Sequence, residues 1–285
     1  MPPLSDVGYI GLGNIGKPSA TRLLQGPWQT HVYDVDEMAS LDLARLGAVS
    51  SASPAELAAH CQHIGICVRD ETQVEALLYG EQGLFHNAAA GTLIAIHSTV
   101  TFAALNRWGD DASRADLQLI DAAITGGQQG AAAGTLCYMV GGSTENLNRA
   151  RPVFATSAEN IVHAGALGAG MLLKLCNNLI TYAEFMAMSE ACKLAEAGGL
   201  SIQALREVGL SNGVVNESMY RFVENRNAVT AHASGSGMEN PFSAFGRLAE
   251  KDLDCALKSA QDLEVDLPST RRLRQVVHDL FMNKA

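Results

Sequence analysis

Two stretches of this chain combine residue types that chemistry requires. The first is Gly11-Leu12-Gly13-Asn14-Ile15-Gly16, with an acidic residue further on at Asp34. A short apolar run (Val7, Tyr9, Ile10) precedes the glycines and a helical stretch, Lys17 to Leu24, follows them. That is the setting of the G-x-G-x-x-G phosphate cradle. In it Gly11 makes the turn, Gly13 leaves bare backbone for a pyrophosphate, and Gly16 lets the helix pack on the strand. The helix N-terminus offers N–H groups and a positive dipole end to the phosphates. A second apolar run, Thr30 to Tyr33, ends at Asp34, and 34 − 13 = 21 residues is the offset of a carboxylate that binds the adenosine ribose hydroxyls. Such a carboxylate repels a 2′-phosphate, so the expected cofactor is NAD, with NADP disfavoured. The alternative is a glycine-rich turn in some other α/β protein, but strand, helix and terminal Asp in register favour the dinucleotide.

The second stretch is Gly168-Ala169-Gly170-Met171-Leu172-Leu173-Lys174-Leu175-Cys176-Asn177-Asn178. Lys174 and Asn178 are four apart, so on a helix they share a face. Apolar neighbours surround them, and a lysine there is costly without a partner or a task. Partial desolvation moves an ammonium pKa toward neutrality, which suits a proton donor or acceptor. A snorkelling lysine at a helix margin is the alternative, with Asn177 or Asn178 making helix-contact hydrogen bonds. The helix alone does not choose. Gly168 and Gly170 favour a task, since they permit close approach by a cofactor or another backbone.

Three further clusters carry polar groups. Asp121 to Ala131 contains Thr125, Gly126 and Gly127, a hydroxyl and unobstructed N–H groups that together suit a carboxylate; an ordinary glycine turn is the other reading. His97-Ser98-Thr99 ends an apolar run, as Asp121 does. In open α/β sheets these strand ends form the ligand crevice. Lys251-Asp252 lies in a long helical stretch, where either residue reads equally as a plain surface charge.

The elements that must position these residues follow from the patterning. Strand-like runs fall at Val7–Ile10, His31–Tyr33, His63–Val68, Thr92–Ile96, Leu117–Asp121, Leu136–Val140 and Ile161–His163. Helical stretches alternate with them at Pro54–His60, Glu71–Leu78 and Thr101–Ala112, and another opens at Ser143 and must bend or end at Pro152. The alternation predicts a doubly wound, mostly parallel sheet in an α/β chain. From Leu167 to Ala197 the chain reads as one long helix, then helices over Ser201–Val208, Val215–Glu224, Phe242–Leu263 and Ser269–Met282. Ala231–Gly237 reads as a loop. The expected organisation is a dinucleotide-binding domain over 1–164 and an all-helical domain over 165–285.

Composition narrows the class. The 285 residues are 47% hydrophobic and 18% charged, with a net charge of −10. That balance excludes a general nucleic-acid or anionic-membrane surface. The six cysteines form no C-x-x-C pair and read as reduced, core-packed thiols in a cytoplasmic protein. His60, Cys61 and His63 lie close together without matching ligands downstream, so no metal is expected. No run reaches the length that spans a bilayer, and the N-terminus lacks signal-peptide order.

These motifs in this order resemble the β-hydroxyacid dehydrogenase family, over nearly the whole chain. Gly8 to Gly16 matches its fingerprint, with Ile15 for the usual Met. Asp121 to Leu136 matches its substrate motif, with Ala123 for Pro and Thr125 for Ser. Gly168 to Asn178 matches its G-x-G-x-x-x-K-x-x-N-N without exception, and Lys251-Asp252-Leu253 matches its K-D-L. The resemblance implies NAD(P)-dependent oxidation of a small 3-hydroxy acid or reduction of the matching aldehyde acid. It implies Lys174 as general acid/base and Asn178 as a substrate-orienting residue. Thr125, Gly126 and Gly127 would bind a carboxylate with Ser98 beside them, and Thr99 and Lys251 would contact cofactor. It further implies a Rossmann domain, a long interdomain helix and a homodimer or homotetramer. Two departures stand out. Val68-Arg69 replaces the usual Leu-Pro, placing Arg69 near the cofactor or the substrate mouth, and His97 replaces an acidic or apolar residue and competes with Lys174 as proton carrier. The rival readings are an imine reductase of the same superfamily, which commonly lacks the lysine, and a non-catalytic dinucleotide-binding regulator.

Overall fold

The computed structural model describes residues 4–236 and 240–284. In chain order the elements are β1 (Asp6–Ile10), α1 (Gly16–Leu23), β2 (Gln29–Tyr33), α2 (Glu37–Ala44), β3 (Val49–Ser50), α3 (Pro54–His60), β4 (His63–Ile66), α4 (Glu71–Leu78), α5 (Leu84–Asn87) and β5 (Leu93–Ile96). They continue with α6 (Phe102–Arg114), β6 (Gln118–Thr125), α7 (Gly127–Ala133), β7 (Leu136–Gly141), α8 (Thr144–Phe154) and β8 (Ala158–Gly165). Five helices complete the described chain: α9 (Ala169–Ala197), α10 (Ile202–Asn212), α11 (Glu217–Ser236), α12 (Phe242–Asp262) and α13 (Pro268–Phe281). Two compact units result, Met1–Lys174 and Leu175–Ala285.

The first unit is one sheet in the order β3-β2-β1-β4-β5-β6-β7-β8. It is parallel from β3 to β6. Strand β7 then runs antiparallel to β6, and β8 parallel to β7. The order reverses direction at β1, so β1 and β4 flank the switch point at which such sheets open a crevice. Strands β4 and β5 are buried at every position. Helices cover both faces of a parallel sheet, which is why these strands read as continuous apolar runs rather than alternating ones. Ile10, Ile64, Ile66, Ile94 and Ile96 form the core with Val74, Leu105 and Trp108.

The second unit is helical. Its core joins Tyr182, Met188 and Cys192 of α9 to Phe222 and Val223, Leu253, and Leu273, Val277 and Phe281. Phe185 and Phe222 stack with centroids 4.0 Å apart. Among the described residues no helix is long and apolar enough to cross a membrane.

Several elements differ from the sequence reading. Strand β6 does not stop at Asp121 but runs to Thr125, because the Asp121 carboxylate finds donors inside the fold. Helix α8 passes Pro152 and ends at Phe154, whose buried ring outweighs the lost backbone bond. Residues 231–236, read as loop, continue α11, while Gly237 lies outside the described residues. Short elements with weak patterning, α2, β3, α5 and α7, escaped the reading. Cys176 is exposed, not core-packed.

One face of the sheet carries an aromatic layer with two buried histidines. Phe154 lies edge-on to both His63 and His97, at 5.7 Å each, and stacks on Tyr138 at 4.7 Å. Tyr9 stacks on His97. The His97 Nδ1–H donates to the Ala122 carbonyl at 2.8 Å. Burial lowers His97 to about 4 and His63 to about 3. His97 is therefore a neutral core residue, not the crevice-edge proton carrier its position proposed. Both histidines take up protons more readily in the unfolded chain, so their contribution is fully present above the ordinary histidine pKa near 6.5. It is lost as pH falls below that value. Between pH 7 and pH 5 each histidine should cost about 2 kcal/mol. The urea midpoint should drop over this interval, and His63→Leu should remove about half of the histidine part of the drop; an unchanged drop in that variant would count against the buried-histidine account.

Candidate active site

The glycine turn after β1 sits where the crevice opens. The Gly11 N–H donates to the Tyr33 carbonyl at 3.0 Å, and Cys67 N–H donates to Ile10 O at 2.8 Å. Gly11 has φ +93, and a side chain there would strike the Cys67 carbonyl. Only glycine lets the turn lie this close to the end of β4. A Cβ added at Gly13 meets nothing within 4 Å. The backbone there is open, as a pyrophosphate cradle requires. Helix α1 begins at Gly16 with no side-chain cap on its N-terminus, whereas α2, α3, α4, α6 and α8 are capped by Asp36, Ser53, Asp70, Thr101 and Ser143. The one helix that follows the glycine turn is left to be capped by a ligand, which fits a dinucleotide phosphate. Leu12, Asn14 and Ile15 form the rest of this turn.

Asp34 ends at the same place. Its Oδ2 accepts the Leu12 N–H at 2.5 Å and its Oδ1 the Asp36 N–H at 2.8 Å. The carboxylate is thus pinned against the glycine turn. Val68 and Arg69 follow β4 directly. Val68 N–H donates to Ser98 Oγ at 2.8 Å, and Ser98 is buried, so its hydroxyl ties the ends of β4 and β5 together while its own proton remains available to donate. Arg69 is exposed and Thr99 half-buried. Thr125 ends β6 half-buried, with Gly126 and Gly127 exposed beyond it.

The β6 strand also explains the glycines of the lysine motif. Asp121 is fully buried, and its Oδ1 and Oδ2 accept the N–H groups of Gly168 and Met171, each at 2.6 Å. Burial pushes the carboxyl up, and these N–H bonds pull it back. The donors belong to the first turn of α9 and the residue before it, so a strand supplies the helix cap that Gly168 has no side chain to make. A Cβ at Gly170 would strike the Met139 carbonyl, and one at Gly141 would strike Asp121 Oδ1. Gly170 thus serves the close approach of another backbone, while Gly168 has a positive φ and sits against the Phe102 ring. Lys174 follows half-buried, one turn beyond Gly170.

In the second unit Asn178 is buried and its Nδ2 donates to Asp252 Oδ2 at 2.8 Å. The Tyr182 hydroxyl donates to the same oxygen at 3.0 Å, and the Lys251 ammonium lies 3.1 Å from Asp252 Oδ1. Burial and the neighbouring Asp252 carboxylate push the Tyr182 hydroxyl far up, so it stays a donor. Asp252 is the hub that fixes the Asn178 amide, not a surface charge. Sequence reasoning missed Asp121 and Asp252 in these roles. The signal was present: Asp121 interrupts Leu119-Ile120 and Ala122-Ala123, and Asp252 shares a helix face with Ala249, Cys255 and Ala256.

Comparison with known proteins agrees with this geometry. Residues 6–165 match the NAD-binding domain of 6-phosphogluconate dehydrogenase, and residues 168–284 match the NAD-binding domain of NADP-dependent 3-hydroxyisobutyrate dehydrogenase. The 3-hydroxyisobutyrate dehydrogenase of Pseudomonas aeruginosa is 31% identical over 265 residues, 93% of this chain and 88% of that one. The solved structure of Mycobacterium tuberculosis 3-hydroxyisobutyrate dehydrogenase with L-serine superposes with a TM-score of 0.86 at 26% identity, covering 99% of this chain and 95% of that one. An imine reductase from Myxococcus stipitatus, at 16% identity and a TM-score of 0.69 over 98% of this chain and 94% of its own, shares the fold alone. With the glycine turn, the pinned Asp34, the lysine motif and both family models in agreement, the chain is a member of the β-hydroxyacid dehydrogenase family and an NAD(P)-dependent oxidoreductase acting on a CH–OH group.

Proposed function

We propose that this enzyme interconverts a small 3-hydroxy acid and its aldehyde or keto acid with NAD, and that Lys174 is the general acid/base. The observation that carries the reading is the placement of Lys174 in the second turn of a helix whose start is locked to the sheet. The bound nicotinamide supplies the hydride acceptor or donor. In the oxidative direction the substrate O–H bond breaks and its proton passes to Lys174 Nζ; in reduction Nζ returns it to the carbonyl oxygen. Thr125 and the Gly126 and Gly127 N–H groups anchor the substrate carboxylate, with Ser98 nearby. Asn178, its amide set by Asp252, orients the hydroxyl. Arg69, Val68, Thr99 and Lys251 are the residues given to cofactor contact, as the family resemblance implies. Preference for NAD follows from Asp34, Asp36 and Glu37, a run without a cation to meet a 2′-phosphate. The six free thiols fit a reducing cytoplasm, and the family resemblance favours a homodimer or homotetramer.

Three measurements test this reading. Lys174→Ala should lower kcat by about 10²–10⁴ while the protein stays folded and NADH binding, followed by fluorescence, is retained. Lys174→Arg should fail nearly as badly, since a guanidinium does not release its proton at working pH; near-normal turnover in either variant removes Lys174 from the mechanism. With one good substrate, kcat/KM should be higher for NAD than for NADP, and equal or better use of NADP would falsify the role given to Asp34. Converting the substrate acid to an amide should cost about 1.5–3 kcal/mol in kcat/KM, as lost charge-assisted bonds do. Equal turnover of acid and amide would show that the anchor lies elsewhere.

A further inference from the structure

We infer that Asp121 is a positioning residue for proton transfer: by holding the first turn of α9 it sets the place of the Lys174 ammonium. The inference rests on the acid/base reading of Lys174. The geometry behind it lies within the first unit. One buried carboxylate receives two helix N–H groups on its two separate oxygens, both at 2.6 Å. Gly168 has φ +90, and a side chain there would press on the Phe102 ring at 2.6 Å. The chain therefore enters α9 through a conformation that favours glycine, and Ala166, Leu167 and Gly168 offer no side chain to cap it. Asp121, 47 residues before Gly168, takes both donors. Met171, whose N–H is one of the two, is fully buried in the core. Lys174 comes three residues after Met171 and four after Gly170, on the turn directly above the anchor.

An amide cannot replace this carboxylate. Asparagine offers one acceptor oxygen, and its NH2 would confront the second N–H donor. The helix start would shift or fray, and a displacement of about 1 Å at a reacting group is enough to cost around 10²-fold in rate. No contact between Asp121 and substrate is needed for that loss.

A double-mutant cycle separates positioning from mere structural support. Asp121→Asn should lower kcat about 10- to 100-fold with the NADH dissociation constant unchanged within twofold. In a Lys174→Ala background the same change should cost less than threefold, because the group it positions is gone. The inference is overturned by a loss below threefold in the enzyme that retains Lys174, or by a loss above threefold in the Lys174→Ala enzyme. If Lys174→Ala itself keeps near-normal kcat, the acid/base reading fails and takes this one with it; an impaired Lys174→Ala with additive losses defeats the positioning role alone. Should Asp121→Asn not fold, Gly170→Ala serves in the same cycle. It keeps the carboxylate and pushes the helix start off Met139 and Asp121.

Discussion

A charge buried in the middle of a strand governs this fold. Asp121 interrupts a run that is otherwise apolar, and an unpaired carboxylate at that depth would cost more than a domain can spare. The solution is non-local. Its two oxygens are satisfied by amides that would otherwise be the orphan donors of a helix start. Two liabilities, a buried anion and an uncapped helix, cancel each other. The cancellation needs contact closer than any side chain permits, which accounts for Gly141 and Gly170, and a positive φ before the helix, which accounts for Gly168. It also fixes where the chain leaves the sheet.

The second unit repeats the arrangement with a different partner set. Asp252 gathers an amide, a phenol and an ammonium around one carboxylate. The amide and the phenol both donate to one oxygen of Asp252, and the Asn178 amide acquires one defined orientation. Both acidic hubs sit directly beside residues of the lysine motif. Buried polar groups of this kind specify geometry more than they add stability.

What could be read beforehand follows the range of the interactions. The turn from β1 to α1 was legible because its glycines and Asp34 act within about thirty residues of one another and each type has a local reason. The alternation of strands and helices and the long helix were legible from periodicity. The end of β6 was not, since Asp121 looks like a polar stop until its donors, which lie beyond residue 165, are known. Pro152 misled for the same reason: its local cost is outweighed by Phe154, whose partners come from β4, β7 and the residue after β5. His97 read as a reactive group at a strand end, but the bulky rings of Tyr9, Tyr138 and Phe154 enclose it. A polar residue's neighbours in sequence said little about what it met in space.

The bare N-terminus of α1 has a thermodynamic consequence. Helices α2, α3, α4, α6 and α8 close their N-termini with side chains, α5 and α7 do not, and α1, behind the glycine turn, leaves its first N–H groups for a phosphate. The nucleotide is then a structural part of the domain as well as a reactant. At a concentration 100 times its dissociation constant, a ligand that binds only the folded chain adds about 2.7 kcal/mol to stability. The durability of this protein in a cell is tied in this way to the supply of its own cofactor, and a fall in the nucleotide pool weakens the catalyst before it slows the reaction.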